Sequence, residues 1–217
     1  MRKLVVLSFV SMDGVMQAPG GPEEDTAGTF KLGGWTVPYF DEWLGSVMVS
    51  QMSRSFDLLL GRKTYEIFAA HWPNVKSEDP ITIGLNISKK YVASRTLTKL
   101  GWKNSELVKG EVPGEVKKLK EQDGPEIHVH GSCDLIQTLL QHDLVDELWL
   151  KIFPVILGGG KRLLAGGAIP AAFKLDRTEV SPKSVIVASY SRAGPVKTGS
   201  FAPDSPSADE LESRAKK

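Results

Sequence analysis

The chain has 217 residues, 41% of them hydrophobic and 24% charged, with a formal net charge of +1 at pH 7. That length suits one sizeable domain with a real core, and the near-neutral charge provides no broad field for nucleic acid or a membrane surface. No apolar run approaches the roughly 20 residues of a membrane span, and the single cysteine, Cys133, excludes an internal disulfide and fits a cytoplasmic chain.

The first residues, MRKLVVLSFVSMDG, have the basic start and apolar stretch of a secretory leader. The stretch is short and runs into Asp13 without a small-residue cleavage site, so Leu4 to Val10 is read as a central strand covered on both faces. Met12 to Gly34 is a long loop rich in glycine and proline, of a length that is usually functional. Asp41 to Met52 has helical spacing through Trp43, Leu44, Val47, Met48 and Met52. Phe56 to Leu60 (FDLLL) predicts a short strand, and Gly61-Arg62-Lys63-Thr64 starts the next helix. Asn74 to Pro80 is polar loop. Lys90 to Ala93 is a strand ending at Ser94-Arg95-Thr96, and Ser105 to Val108 a further short strand. Gly114 to Gln122 is a charged helix, Glu126 to His130 a strand, Ser132 to Gln141 a helix and Asp146 to Phe153 a strand. Phe173 to Val180 and Ser184 to Tyr190 flank Ser181-Pro182-Lys183 as a hairpin.

The order β–α–β–α–β–β–α–β–α–β–β–β implies an α/β fold. A mainly parallel central sheet carries helices on both faces, with an antiparallel hairpin added at one edge. Residues 1–193 are expected to form this domain. Residues 194–217 are rich in Pro, Ser and charge, lack apolar periodicity and are expected to be a disordered tail with a short helix near Asp209 to Ala215.

The chemistry concentrates in Ile127 to Leu163. An apolar strand ends at Gly131, Ser132-Cys133-Asp134 open a helix that Ser132 can cap, and a second strand, DELWLKIFPVIL, closes at Gly158-Gly159-Gly160. A strand, a glycine turn and a helix N-terminus together hold phosphate well. Arg62 and Arg95, each just after another apolar run, supply positive charge for a phosphorylated cofactor. His128 and His130 share one face of their strand, but no third ligand is apparent and no metal is expected. Cys133 is expected to pack rather than react.

Four segments, in register along residues 4 to 190, resemble the dihydrofolate reductase-like superfamily. They are SMDG (Ser11 to Gly14), LLLGRKTYE (Leu58 to Glu66), VASRTL (Val92 to Leu97) and VHGSCDLIQTLLQHDLVDELWLKIFPVILGGGKRLL. The likeness is strongest to the reductase domain of the riboflavin-biosynthesis bifunctional deaminase-reductase and its stand-alone bacterial forms. True folate reductases carry paired glycines where this chain has only Gly131. The zinc-deaminase pattern, H-x-E with P-C-x-x-C, does not occur.

The resemblance implies NADPH-dependent hydride transfer to a small nitrogen-heterocyclic substrate, as in 5-amino-6-(5-phosphoribosylamino)uracil reductase or a pterin reductase, in a subunit that often forms homodimers. It assigns cofactor binding to Gly61, Arg62, Lys63, Thr64, Ser94, Arg95, Gly131, Ser132, Cys133, Asp134, Leu135, Gly158 and Gly159. Arg95 would select NADP by forking onto a 2′-phosphate. Asp13 is implied as the catalytic acid and a substrate contact, with Trp35, Tyr39 and Asp41 completing the substrate wall. A non-catalytic nucleotide-binding protein on the same fold is the alternative.

Overall fold

In the computed structural model of the chain, residues 1–166, 168–201, 212, 213, 215 and 216 are described. Strand β1 (Leu4–Ser11) runs through the middle of the fold and is buried along nearly its whole length. It pairs in parallel with β5 (Glu126–Val129) on one side and β6 (Glu147–Phe153) on the other. β2 (Phe56–Gly61), β3 (Lys90–Ala93) and β4 (Ser105–Leu107) extend the parallel sheet beyond β5. β8 (Ile186–Gly194) lies antiparallel on β6, and β7 (Ala172–Val180) antiparallel on β8. The sheet order is β4-β3-β2-β5-β1-β6-β8-β7.

Helices cover both faces. On one face α4 (Val112–Glu121) and α5 (Cys133–Gln141) pack on Leu4, Val6, Leu59, Ile127 and Val129. The buried stripe of α5, Leu135, Ile136, Leu139 and Leu140, has helical spacing; each such residue contributes about 1.5–3 kcal/mol relative to exposure. On the other face α1 (Glu42–Gln51), α2 (Arg62–His71) and α3 (Pro80–Ile87) close two separate apolar clusters. One gathers Trp35, Leu44, Phe153 and Val187, the other Met52, Phe56, Leu58, Leu60 and Leu85. Among the described residues no helix is long and apolar enough to cross a membrane.

The α/β architecture, parallel sheet and antiparallel C-terminal strands agree with the sequence reading. Helix α3 was not anticipated. Its segment, PITIGLNI, mixes β-branched residues with Gly84 and has little intrinsic helix preference. Asp79 starts it by accepting from the N–H groups of Ile81 and Thr82, with Pro80 at the first position. Tertiary burial of Thr82 and Leu85 then holds the turns. The helix expected near Asp209 to Ala215 falls largely outside the described residues.

Candidate functional site

The C-terminal ends of the parallel strands open into one cavity of about 1270 Å³. That exceeds the roughly 300–1,000 Å³ of a typical small-molecule pocket. At one end the starts of α2 and α5 converge. Gly61 N–H donates to the Gly131 carbonyl at 3.1 Å, tying the end of β2 to the end of β5. A Cβ on Gly61 would stand 2.9 Å from the Ser132 nitrogen, and one on Gly131 2.5 Å from Thr64 Oγ1. Gly131 also has a φ of +152°, which glycine adopts freely. Glycine at both positions therefore permits the contact between the two helix starts.

Ser132 stands at the N-cap position of α5, but its hydroxyl makes no capping bond, correcting the expectation that it caps. No side chain caps α2 either. Both helices thus present unsatisfied N–H groups and the positive end of their dipoles to the cavity. Gly61, Arg62, Lys63, Thr64, Ser94, Arg95, Ser132, Cys133, Asp134 and Leu135 all line it. Arg95 is exposed and makes no hydrogen bond or ion pair among the described residues, whereas Arg62 is held by Glu66 at 2.9 Å. Ser94 Oγ accepts from the N–H groups of Thr96 and Leu97, shaping the turn that presents Arg95. Cys133 Sγ donates to the Arg162 carbonyl at 3.0 Å and burial raises its pKa, which fits a packing role.

The structure separates the remaining expected residues from the cavity. Asp13 accepts from Ser11 Oγ at 2.6 Å, Leu157 N at 3.1 Å and Gly158 N at 3.0 Å, and faces Arg162 at 3.4 Å. The Ser11 hydroxyl and these N–H groups hold its pKa down at about 2, so it is ionised at neutral pH and poorly suited to donate a proton. Gly158 and Gly159 belong to this loop-to-loop contact and do not line the cavity. Trp35 donates from Nε1 to the Gln17 carbonyl at 2.8 Å and meets Phe153 edge-on, as does Tyr39. Asp41 caps α1 through Leu44 N at 2.8 Å. Trp35 and Tyr39 pack against Phe153 in the apolar cluster beneath α1, Asp41 caps α1, and none of the three lines the cavity.

Sequence reasoning missed another part of the cavity lining, formed by β1, β6, the end of α1 and the residue after β5. There Leu7, Phe9, Met48 and Met52 make apolar walls, and Lys151, His130 and Gln51 supply the polar groups. Lys151 is only 3% exposed, and desolvation lowers its pKa to about 7. The available signal was a lone lysine inside the apolar strand ELWLKIF, in register with Phe9 of β1. Among the described residues no cluster suits a metal ion, and His128 stacks on Phe56 at 4.5 Å.

Comparison with known proteins agrees with this fold. The chain is 33% identical over 194 residues to YyaP, an uncharacterized protein of Bacillus subtilis (strain 168), covering 87% of this chain and 94% of that one. Its fold is similar to that of a riboflavin biosynthesis protein from Shewanella sp. PV-4, with a TM-score of 0.63 and 23% identity over 88% of this chain and 99% of that one. It is also similar to dihydrofolate reductase from Enterococcus faecalis, solved with NADP(H), with a TM-score of 0.56 and 12% identity over 88% and 96% of the two chains. At these identities the structural likeness speaks for the fold alone. The RibD C-terminal domain matches residues 2–187, and with the dihydrofolate reductase-like sheet beneath it this chain belongs to that reductase-like family.

Proposed function

We propose that the protein is an NADPH-dependent reductase acting on a small nitrogen-heterocyclic substrate, of the riboflavin-pathway or pterin type, in the cytoplasm. The observation that carries this reading is the convergence of two uncapped helix N-termini with the unpaired Arg95 at one end of a large cavity. The donor set fits the cofactor. The N–H groups at the starts of α2 and α5 suit a diphosphate, and Arg95 suits a 2′-phosphate. Bound there, the cofactor supplies a hydride. The chain's own residues orient both molecules and keep bulk water from the apolar end. Residues 1–193 are read as the whole reductase domain, 194–217 as a tail outside it, and β7 as a homodimer edge.

Calorimetric titration of NADPH and NADH into the wild-type protein and Arg95→Ala tests the assignment. Loss of a charge-assisted phosphate contact costs about 1.5–3 kcal/mol, so NADPH weakens by about one to two decades while NADH is almost unchanged. Equal weakening of both cofactors would remove Arg95 from the 2′-phosphate. NADPH oxidation is then followed across a panel of heterocycles; binding without oxidation of any of them favours a non-catalytic nucleotide-binding protein.

A further inference from the structure

Three polar side chains from three parts of the fold meet the cavity with no partner among the described residues. Lys151 of β6 makes no hydrogen bond or ion pair among the described residues, although it is buried. His130, just past β5, has a buried Nε2 without a partner, and Gln51 at the end of α1 a buried Oε1 without one. Buried polar groups are ordinarily satisfied. Of the six buried side-chain atoms left without a partner among the described residues, those of Asp41, Ser105, His128 and Gln137 lie outside the cavity. Those of His130 and Gln51 share one apolar-walled space with Lys151, an arrangement that suits a polar ligand. The Arg95 end lies beyond β3 and Lys151 on β6, four strand spacings or about 19 Å apart, so the two ends serve different parts of the bound material.

We propose, resting on the reductase reading for the kind of molecule that enters, that Lys151, His130 and Gln51 form a specificity subsite for the acidic edge of a planar heterocycle, an imide or ring oxygen that carries negative charge. Lys151 meets the anionic oxygen, and the Gln51 amide, a donor and an acceptor together, pairs with the adjoining N–H or C=O. Leu7, Phe9, Met48 and Met52 enclose the ring.

The charges around Lys151 are few. β5 contributes His128 and His130, whose pKa values burial lowers to about 4 and about 3, so both are neutral near pH 7. β1 and α1 contribute Leu7, Phe9, Met48, Gln51 and Met52 to the cavity, and β8 pairs Val187 with Lys151; none of these titrates. Glu24 and Asp25 line the same cavity, but Glu24 accepts from the N–H groups of Gly20 and Gly21, and Asp25 is paired with Lys161 at 2.7 Å. The cations Arg62 and Lys63, after β2, and Arg95, after β3, line the cavity from the strands beyond β5. Of the groups named on β1, β5, β6, β8 and α1, Lys151 is the one whose pKa lies near 7, and it is cationic below that value; His71 at the end of α2 and His142 just after α5 also line the cavity.

The test titrates barbiturate, a planar imide anion, and uracil, the comparable neutral ring, into the full chain by calorimetry, with NADPH affinity measured separately. At about pH 6 the wild type should bind barbiturate about 10- to 100-fold more tightly than uracil, the value of a charge-assisted contact. That preference should decline as pH rises above about 7, where Lys151 loses its proton. Lys151→Met keeps the stem length and removes a buried charge; it should bind both rings alike, lose the pH dependence and retain NADPH affinity. Equal wild-type affinity for the two rings, a preference kept by Lys151→Met, or no binding of barbiturate would each overturn the subsite. The wild-type pH profile carries the test even if the variant does not fold. Loss of NADPH binding with the ring preference intact would instead count against the reductase reading and leave the subsite standing.

Discussion

Asp13 follows the first strand in the position of a catalytic acid, yet its carboxylate closes one loop onto another. It receives Ser11 Oγ and the N–H groups of Leu157 and Gly158, so the SMDG turn and the glycine-rich turn after β6 are held as one unit. Asp13→Asn should lower the melting temperature by several degrees at pH 7. Because the folded pKa lies at about 2, below the ordinary 3.8, the carboxylate's contribution is complete above about pH 4 and disappears as pH falls through about 2. Thermal melts of both proteins should therefore converge toward pH 2. An unchanged melting temperature with abolished turnover would restore Asp13 to catalysis. Lys151 is the reverse case: in the sequence it reads as one cation within an apolar strand, and only the pairing of β6 with β1 and β8 shows that it is buried beside a cavity.

Among the elements, α2 and α5 were legible as helices that follow strand ends. Their contact was not legible, because it joins Gly61 to Ser132, at the ends of strands that are neighbours in the sheet but far apart in sequence. Gly61→Ala makes that contact testable. Its φ of −71° carries no strain, so the whole effect comes from a methyl group facing Ser132. Overpacking of this kind costs about 1–3 kcal/mol, and the helix starts must separate, so NADPH affinity should fall as well. Gly159→Ala, where a Cβ meets nothing within 4 Å, should alter neither stability nor binding. Matching melting temperatures for the two variants would show that the close approach is unimportant.

For the whole molecule, the two sheet edges differ. β4 has only three residues and offers little to pair with. β7 has nine, most of them exposed, with Leu175 46% and Val180 63% accessible. Long open edges are usually paired or guarded. Here the guards are the surface ion pairs Lys174–Asp176 and Arg177–Glu179, and exposed pairs contribute little by themselves. We expect a homodimer through β7, with light scattering at micromolar concentration giving twice the 23.7 kDa chain mass. A mass near one chain would leave β7 a guarded solvent edge.

Properties carried by neighbours along the chain were determined by sequence alone. The continuous apolar run of β1 specifies a strand covered on both faces, and the stripe of α5 specifies one buried helix face. The glycine turns at Gly61 and Gly131, with Arg95 after β3, marked the part of the cavity proposed to take phosphate. What depends on residues distant in sequence was decided only by the tertiary structure. The fates of Trp35, Tyr39 and Asp41 depended on Phe153, Gln17 and the start of α1, and that of Asp13 on a loop 144 residues away. The same holds for the polar end of the cavity. Gln51, His130 and Lys151 lie on three separate elements, and burial, which is a property of the assembled fold, turns them from ordinary surface residue types into unsatisfied groups facing one space.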